Sequence, residues 1–300
     1  SVMKSVAIIG VGLIGGSWAL ALKKHFLGIT ILGVDNNQVH LEEALRLGLI
    51  DKAVDIDTAA QSDLVFVSIP VGSASEVIYS LLDKVGEHTL IMDAGSTKSA
   101  LCQSISDHPN RSHFLAAHPI AGTEFSGPAA AKADLFDGKL MILCEIEKTA
   151  IRLQENILTA FQKIGMRLRY MDPESHDKHV AYVSHLSHVS SFMLGKTVMD
   201  KEADDRNIFD LAGSGFASTV RLAKSSPEMW GPIFLQNKEH LSHTLEAYIS
   251  NLQKFKTLID NEDLEALTSE MKRINTIEKI LNPLDRKSTR LNSSHVRTSR

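Results

Sequence analysis

Short apolar runs alternate with helical stretches over the first 171 residues of the chain. The runs are rich in β-branched residues and are followed by polar or glycine-rich turns, which is typical of buried strands. They lie at 5–9, 29–34, 63–70, 89–95 and 112–118. Helical stretches follow several of these runs, and the first of these stretches lies at 17–24. Strands that alternate with helices predict an α/β fold with a doubly wound parallel sheet.

The pattern changes near residue 172. A predicted helix at 149–164 and a strand at 166–171 close the first part, and the sequence from Asp172 through Pro173 is typical of a helix start. Long helical patterns then dominate, including 239–258 and 264–280. We therefore predict two domains, residues 1–171 with the sheet and residues 172–284 with helices only.

Residues 285–300 have a different composition from the rest of the chain. They contain five Lys or Arg residues and few apolar ones, with neither a helical nor a strand period. Such a segment does not bury enough apolar surface to fold. We expect a disordered or non-native tail there.

Composition and charge favour a small-molecule role. Hydrophobic residues make up 43% of the chain and charged residues 23%, which is ordinary for a globular protein. The net charge of −4 provides no basic field for nucleic acid or for an anionic membrane surface. The two cysteines, Cys102 and Cys144, have no spacing typical of zinc or redox motifs, so we expect a reducing, cytoplasmic compartment.

A glycine motif between the first strand and the first helix carries the first chemistry. Gly10, Gly12 and Gly15 have the spacing of a Rossmann dinucleotide-binding turn, in which phosphate meets the N-terminus of the helix. Asp35 ends the second predicted strand, where a carboxylate binds the ribose hydroxyls. Asn36 and Asn37 follow, with no arginine for a 2′-phosphate, which favours NAD over NADP.

Ligands of such sheets bind beyond the carboxyl ends of the strands. The predicted cofactor-binding residues are therefore Gly10, Gly12, Leu13, Ile14, Gly15, Asp35, Ser68, Pro70 and Ser96.

Four histidines, His176, His179, His185 and His188, invite a metal-site hypothesis. On one continuous α-helix, nine residues advance about 900°, which places His185 opposite His176 and His188 opposite His179. Four ligands on one helix could not converge on an ion. We therefore expect no metal site, although one of these histidines could face the cofactor cleft.

Several ordered motifs make the chain resemble the prephenate dehydrogenase family, the TyrA-type prephenate and arogenate dehydrogenases of tyrosine biosynthesis. The resemblance extends from about residue 4 to residue 281. The motifs are DAGSTK at 93–98, HPIAGTE at 118–124, LFDGK at 135–139, HLSH at 185–188, GSGFASTVR at 213–221 and SPEMW at 226–230.

The resemblance implies NAD-dependent oxidative decarboxylation of prephenate to 4-hydroxyphenylpyruvate. It implies that His118 is the catalytic base and that Ser96 orients it. It also implies that Arg221 binds a substrate carboxylate, with His188 on the substrate side and Glu124 gating the pocket entrance. Imidazole and guanidinium suit these roles chemically. The family further implies a homodimer formed through the helical domain.

Two departures from the family pattern leave the substrate open. Ser187 stands where the family often has proline, and Ser218 stands where it often has aspartate. Because that aspartate is a potential partner for substrate-binding cations, arogenate remains an alternative to prephenate. Two further alternatives are another two-domain NAD-dependent hydroxy-acid dehydrogenase and a non-catalytic NAD sensor.

Overall fold

The computed structural model of the chain describes residues 3–203 and 208–281. Its strands are β1 (Ser5–Ile9), β2 (Thr30–Val34), β3 (Lys52–Ala53), β4 (Leu64–Val67), β5 (Leu90–Asp93), β6 (Phe114–Ile120), β7 (Leu140–Cys144) and β8 (Arg167–Met171). Its α-helices are α1 (Leu13–His25), α2 (Gln38–Arg46), α3 (Ile56–Ala59), α4 (Val71–Leu82), α5 (Ser99–Ile105), α6 (Ile151–Ile164), α7 (Pro173–Val180), α8 (Leu186–Glu202), α9 (Ser214–Thr219), α10 (Pro227–Gln236), α11 (Lys238–Asp260) and α12 (Leu264–Asn275).

The strands form one sheet in the order β3-β2-β1-β4-β5-β6-β7-β8. Neighbouring strands are parallel except β6 and β7, which are antiparallel. The prediction of a doubly wound parallel sheet is confirmed except at β7, which is antiparallel to β6. Neither β7 nor the two-residue β3 was predicted. An antiparallel neighbour needs no crossover helix, so the alternation of strands and helices did not reveal it.

Helices cover both faces of the sheet, and an aromatic cluster fills one of the two cores. Trp18 on α1 stacks on Phe66 of β4 with ring centroids 5.0 Å apart, and Phe136 meets its edge at 5.5 Å. All three side chains are fully buried. Each such side chain contributes about 1.5–3 kcal/mol by leaving water, so this cluster holds α1, and with it the glycine turn, against the sheet.

A buried ion pair joins the carboxyl end of β5 to the start of α5. Lys98 Nζ bonds Asp93 Oδ2, and both side chains have almost no exposed surface. Asp93 also accepts hydrogen bonds from Gly95 N at 3.0 Å and from Ala117 N on β6 at 2.9 Å. One carboxylate therefore ties together β5, β6 and the loop between β5 and α5.

Helix α7 begins as predicted and docks on α5. Asp172 caps α7 by accepting a hydrogen bond from Ser175 N at 2.9 Å. Five residues later, Asp177 accepts hydrogen bonds from Lys98 N at 2.8 Å and Ser99 N at 3.0 Å. Because α5 has no side-chain cap of its own, the carboxylate from α7 satisfies its free N–H groups.

The prediction that His176 and His185 lie on opposite sides of one helix is wrong. A π-helical turn, Ala181–His185, lies between α7 and α8, and its wider hydrogen-bonding ring changes the rotation per residue. Both histidines are fully buried. Both lie close to His118, since each of them lowers the pKa of its imidazole. Asn237 Nδ2 donates to Asp177 O at 2.9 Å and to His185 Nδ1 at 3.0 Å, which links α7 to the π-helical turn.

The chain divides into two compact units, Ser1–Leu241 and a second that starts at Ser242. The first unit thus extends beyond residue 171, because α7 and α10 pack against α5 and α4. Within the described residues, no helix has the length and apolar content needed to cross a membrane. The tail predicted at 285–300 lies outside the described residues.

Replacing Lys98 with methionine should destabilise the fold strongly. The Lys98→Met variant leaves the Asp93 carboxylate buried without its counter-ion, which costs about 3–5 kcal/mol of unfolding free energy. Urea unfolding followed by circular dichroism measures this loss. The control is Lys196→Met, which breaks the exposed Lys196–Asp200 pair and should change stability little. A Lys98→Met variant as stable as the control would contradict the role given to the buried pair.

Candidate active site

The glycine turn after β1 has the geometry that a dinucleotide requires. Gly10 has φ +94°, and a Cβ there would lie 2.2 Å from the carbonyl oxygen of Ser68. A Cβ at Gly15 would lie 2.1 Å from the Gly10 oxygen. A Cβ at Gly12 would meet nothing within 4 Å, so this position is open beside the N-terminus of α1. Two glycines are therefore needed for folding, and the third leaves room for a phosphate.

Asp35 lies beside this turn at the end of β2. Its Oδ2 accepts a hydrogen bond from Val11 N at 3.0 Å, and its Oδ1 accepts one from Asn37 N at 2.8 Å. The carboxylate is thus held at the edge of the glycine turn, where a ribose would lie. The turn, the helix N-terminus and the carboxylate together fit NAD.

The other predicted cofactor residues lie at the same edge of the sheet. Leu13 and Ile14 form the first turn of α1, and Ser68 and Pro70 lie between β4 and α4, with Pro70 at the N-cap of α4. Ser96 is half-buried in the loop after β5. The carboxyl ends of three parallel strands therefore bring these residues together.

His118, on β6, is the first member of a buried chain of hydrogen bonds. Its Nδ1 lies 2.7 Å from His176 Nε2, and His176 Nδ1 lies 2.8 Å from Asp177 Oδ1. The two imidazole rings meet edge to face with centroids 5.0 Å apart. At the other end of this series of hydrogen bonds, the Asp177 carboxylate accepts from the backbone amides of Lys98 and Ser99 at the start of α5.

The surroundings of His118 keep its imidazole neutral. Burial is the main cause that lowers its pKa well below the ordinary histidine value, and the neighbouring His176, Lys98 and His185 lower the pKa further. Burial also lowers the pKa of His176, although its hydrogen bond to Asp177 opposes this. A neutral imidazole next to a cofactor cleft can accept a proton, as a general base must.

Arg221 and Glu124 were predicted separately, and the structure pairs them. Arg221 Nη1 donates to Glu124 Oε2 at 2.9 Å. The arginine side chain is 51% exposed, whereas the glutamate is 14% exposed. The guanidinium therefore still has donors for an anionic ligand, and the carboxylate beside it competes with that ligand.

His188 stacks on Trp230 of α10, with ring centroids 3.4 Å apart. His188 Nδ1 lies 3.0 Å from the Ser184 carbonyl, to which it donates, so Nε2 is free to accept a hydrogen bond. Burial lowers the pKa of His188, and nearby Arg221 lowers it further. Trp230 belongs to a motif of the family pattern, but the sequence did not assign it a role.

His185 carries a buried donor that has no partner in the described part of the chain. Because Asn237 Nδ2 donates to His185 Nδ1, the proton of the neutral ring is on Nε2. Among the residues that the structure describes, that nitrogen has no hydrogen-bond partner. Since an unsatisfied buried donor costs about 1–3 kcal/mol, this position favours a bound acceptor.

Sequence reasoning gave no role to His176 and Asp177, which hydrogen-bond in series with His118. Ser96, which was expected to orient His118, is half-buried in the loop after β5, and the partner of His118 Nδ1 is His176. The density of histidines after residue 172 was the available signal. It indicated that one of these histidines could face the cofactor cleft but did not show which one. Among the described residues, no three metal-binding side chains lie close enough together to hold an ion.

Comparison with known proteins places these features in context. A family model described as the prephenate dehydrogenase nucleotide-binding domain matches residues 18–170, and one described as the prephenate dehydrogenase dimerization domain matches residues 172–273. The chain is 32% identical to the prephenate dehydrogenase of Bacillus subtilis, covering 88% of this chain and 72% of that protein. It is also 32% identical to the cyclohexadienyl dehydrogenase of Zymomonas mobilis, covering 91% and 94%.

Solved structures show the same likeness. A prephenate dehydrogenase from Aquifex aeolicus in complex with hydroxyphenyl propionate and NAD+ has a TM-score of 0.85 and 32% identity, covering 94% of this chain and 99% of that one. The arogenate dehydrogenase of Synechocystis has a TM-score of 0.71 and 26% identity, covering 92% and 99%.

An alanine at Gly12 should separate dinucleotide binding from folding. The added methyl group meets nothing in the protein, so the thermal midpoint without ligand should stay unchanged. The methyl group would keep a pyrophosphate from the helix N-terminus. Losing a hydrogen bond to a charged group costs about 1.5–3 kcal/mol, so Gly12→Ala should weaken NAD binding about tenfold or more.

Calorimetric titration with NAD measures this affinity. Gly10→Ala is the contrasting variant, because its positive φ and its clash with Ser68 should lower the thermal midpoint as well. Unchanged NAD affinity in Gly12→Ala would move the phosphate site away from this turn.

Proposed function

The chain belongs to the prephenate dehydrogenase family, and we propose from this that it converts prephenate to 4-hydroxyphenylpyruvate by NAD-dependent oxidative decarboxylation. The reaction is a step of tyrosine biosynthesis. The observation that carries the proposal is the neutral, buried His118 at the carboxyl end of β6, on the same edge of the sheet as the glycine turn. A base at that position suits the oxidation of an alcohol next to a nicotinamide.

NAD bound at the glycine turn would supply the acceptor for the hydride that leaves the ring carbon bearing the hydroxyl group. The glycine turn and Asp35 hold the pyrophosphate and the ribose, and Ser96 lies in the loop from which it would contact the nicotinamide side. These residues fix the orientation of the cofactor relative to His118, and orientation accounts for much of the rate in reactions between two bound partners.

His118 receives the hydroxyl proton as the ring carbon becomes a carbonyl carbon. The bond to the ring carboxylate then breaks, its electron pair makes the ring aromatic, and CO2 leaves. The former carbonyl oxygen becomes a phenolate and takes the proton back from His118. Hydride transfer and loss of CO2 therefore balance without net release of a proton, and one histidine serves as base and then as acid.

Arg221 binds a carboxylate of the substrate. Prephenate carries two carboxylates, and a guanidinium is the side chain best suited to bind one through two parallel hydrogen bonds. In the structure Glu124 occupies part of this donor set. Substrate binding thus requires the carboxylate to replace Glu124 or to share the guanidinium with it, which is how Glu124 would gate the site.

His188 lies within the same group of residues and supplies a further polar contact to the substrate. Its ring is held by Trp230 on one face and by the Ser184 carbonyl at Nδ1. The remaining nitrogen, Nε2, accepts a hydrogen bond when the ring is neutral. Its place beside Arg221 supports the assignment to the substrate side of the cleft.

Residues 1–171 are assigned to nucleotide binding and residues 172–284 to substrate binding and to formation of a homodimer. Exposed apolar side chains on α12, among them Leu264, Met271 and Ile274, are consistent with a partner surface. The proposed compartment is the cytoplasm, which agrees with free thiols at both cysteines.

Formation of NADH from NAD and prephenate, measured beside arogenate at equal concentration, tests the function. The His118→Asn variant should lower kcat about 10²- to 10⁴-fold, the usual contribution of a general base. In the wild type, kcat/KM should decrease only when the pH is lowered below the ordinary histidine pKa of about 6.5. Burial lowers the pKa of His118 and so keeps its base form present down to that pH.

Turnover of arogenate alone would make arogenate the substrate, and the proposed mechanism would stay the same. No turnover of either compound, with NAD still bound, would overturn the proposed activity in favour of a sensor. Near-normal kcat in His118→Asn would remove the histidine from its role as base.

The Arg221→Ala variant should raise KM for prephenate about 10- to 100-fold, because a hydrogen bond to a charged group contributes about 1.5–3 kcal/mol. The affinity for NAD should be unchanged. Steady-state kinetics and NAD titration measure the two effects. The control is Lys196→Ala, which removes an exposed cation that pairs with Asp200 on α8. An unchanged KM in Arg221→Ala would exclude Arg221 from the substrate site.

A further inference from the structure

One buried histidine, His176, lies between the base of the proposed reaction, His118, and the carboxylate of Asp177. We propose that His176 and Asp177 are positioning residues that hold His118 in the tautomer with its proton on Nδ1, so that Nε2 is the nitrogen that receives the substrate proton. This inference rests on the proposed function only in treating His118 as the base. The tautomer itself follows from hydrogen bonds in the protein alone.

Asp177 determines the direction of these hydrogen bonds, because a carboxylate can accept a hydrogen bond but cannot donate one. Its Oδ1 accepts a hydrogen bond from Lys98 N at 2.8 Å, and its Oδ2 accepts one from Ser99 N at 3.0 Å. The hydrogen bonds from these amides and from His176 lower its pKa, although burial opposes them. Asp177 is therefore a carboxylate, and the ring nitrogen beside it must carry a hydrogen.

His176 passes this constraint on. Its Nδ1 donates to Asp177 Oδ1 at 2.8 Å, and burial lowers the pKa of the ring, so only one of its nitrogens is protonated. Nε2 is therefore an acceptor with a lone pair. That nitrogen lies 2.7 Å from His118 Nδ1, and a hydrogen bond of this length requires a donor on the other side.

His118 Nδ1 must supply that donor. Since the ring of His118 is neutral, its second nitrogen, Nε2, is left without a proton and is the basic atom. The order of donors and acceptors along three side chains thus selects the reactive nitrogen. No step in this argument requires a substrate or a cofactor.

Backbone contacts on both sides hold the segments that carry the two rings. His118 lies on β6, between β5 and β7. The preceding residue, Ala117, donates its backbone N–H to Asp93. His176 and Asp177 lie on α7, which is held against α5. The charged groups near the two rings are Lys98, Asp93 and Asp177, with His185 as a further titratable neighbour. A rigid surround of this kind keeps one tautomer when the substrate arrives.

A purely structural role for His176 is the competing explanation, since it also helps to hold α7 on α5. The variants His176→Asn and His176→Gln separate the two roles, because they differ by one methylene. The Asn amide extends about as far as Nδ1 of the histidine ring, so it can still donate to Asp177. It is too short to contact His118. The Gln amide reaches about as far as Nε2, so its oxygen can accept from His118 Nδ1.

Nitrogen-15 NMR of protein labelled at histidine reads the tautomer directly. The signals of His118 are assigned by their absence in His118→Asn. In the wild type and in His176→Gln, we expect the His118 proton on Nδ1. In His176→Asn, we expect a shift toward the tautomer with the proton on Nε2. A wild-type spectrum with the proton on Nε2 of His118 would overturn the inference even if neither variant folds.

Kinetics supply the second readout. His176→Asn should lower kcat about 100-fold, as expected when a general base is held in the wrong tautomer, with KM and NAD affinity changed less than threefold. His176→Gln should keep kcat within about tenfold of the wild type. Equal kcat in the Asn variant and the wild type, at an unchanged thermal midpoint, would contradict the inference.

The two proposals can fail separately. If the wild type does not oxidise prephenate but shows His118 protonated at Nδ1, the assigned substrate is wrong and the tautomer stands. If prephenate is oxidised and the tautomer is the other one, the function stands and the role of His176 is withdrawn.

Discussion

The buried carboxylate of Asp93 holds the pieces from which the site is built. It binds Lys98 at the start of α5, and the backbone of Ala117 on β6. The amide of Lys98 in turn binds Asp177 on α7. A strand, a loop, a short helix and a helix from the second half of the chain are therefore connected through two carboxylates. Because a buried charge must be compensated, this arrangement allows little freedom in where His118 and His176 lie.

The part of the fold that depends on local pattern could be predicted from the sequence. Strands β1, β2, β4, β5, β6 and β8, the glycine turn and the start of α7 at Asp172 each have a local signal of apolar residues, glycine spacing or a capping residue. The two exposed residues of β3 have no such signal. The antiparallel β7 is as apolar as the buried parallel strands. Its direction is set by a loop whose path has no short-range signature.

The candidate site divides in the same way. The glycines, Asp35, His118 and Arg221 could be found because fixed spacing or a family motif marks them. His176 and Asp177 could not, since their partners are 58 and 79 residues away in the chain. A regular helix was assumed where the structure has the π-helical turn Ala181–His185, and that single assumption placed His185 on the wrong side. Contacts over such distances depend on packing, which a periodic pattern does not contain.

The pairing of Glu124 with Arg221 has a consequence for how selective the site is. Glu124 is tethered beside the guanidinium, so it acts as an internal competitor whose effective concentration is high and constant. The measured affinity of any anion is then its intrinsic affinity reduced by the fraction of Arg221 that Glu124 has already engaged. A ligand with one weakly held carboxylate gains too little to displace that competitor, whereas a dianion gains a second contact elsewhere. If Arg221 binds the substrate as proposed, this internal pair sets an affinity threshold that favours dianions over monocarboxylates.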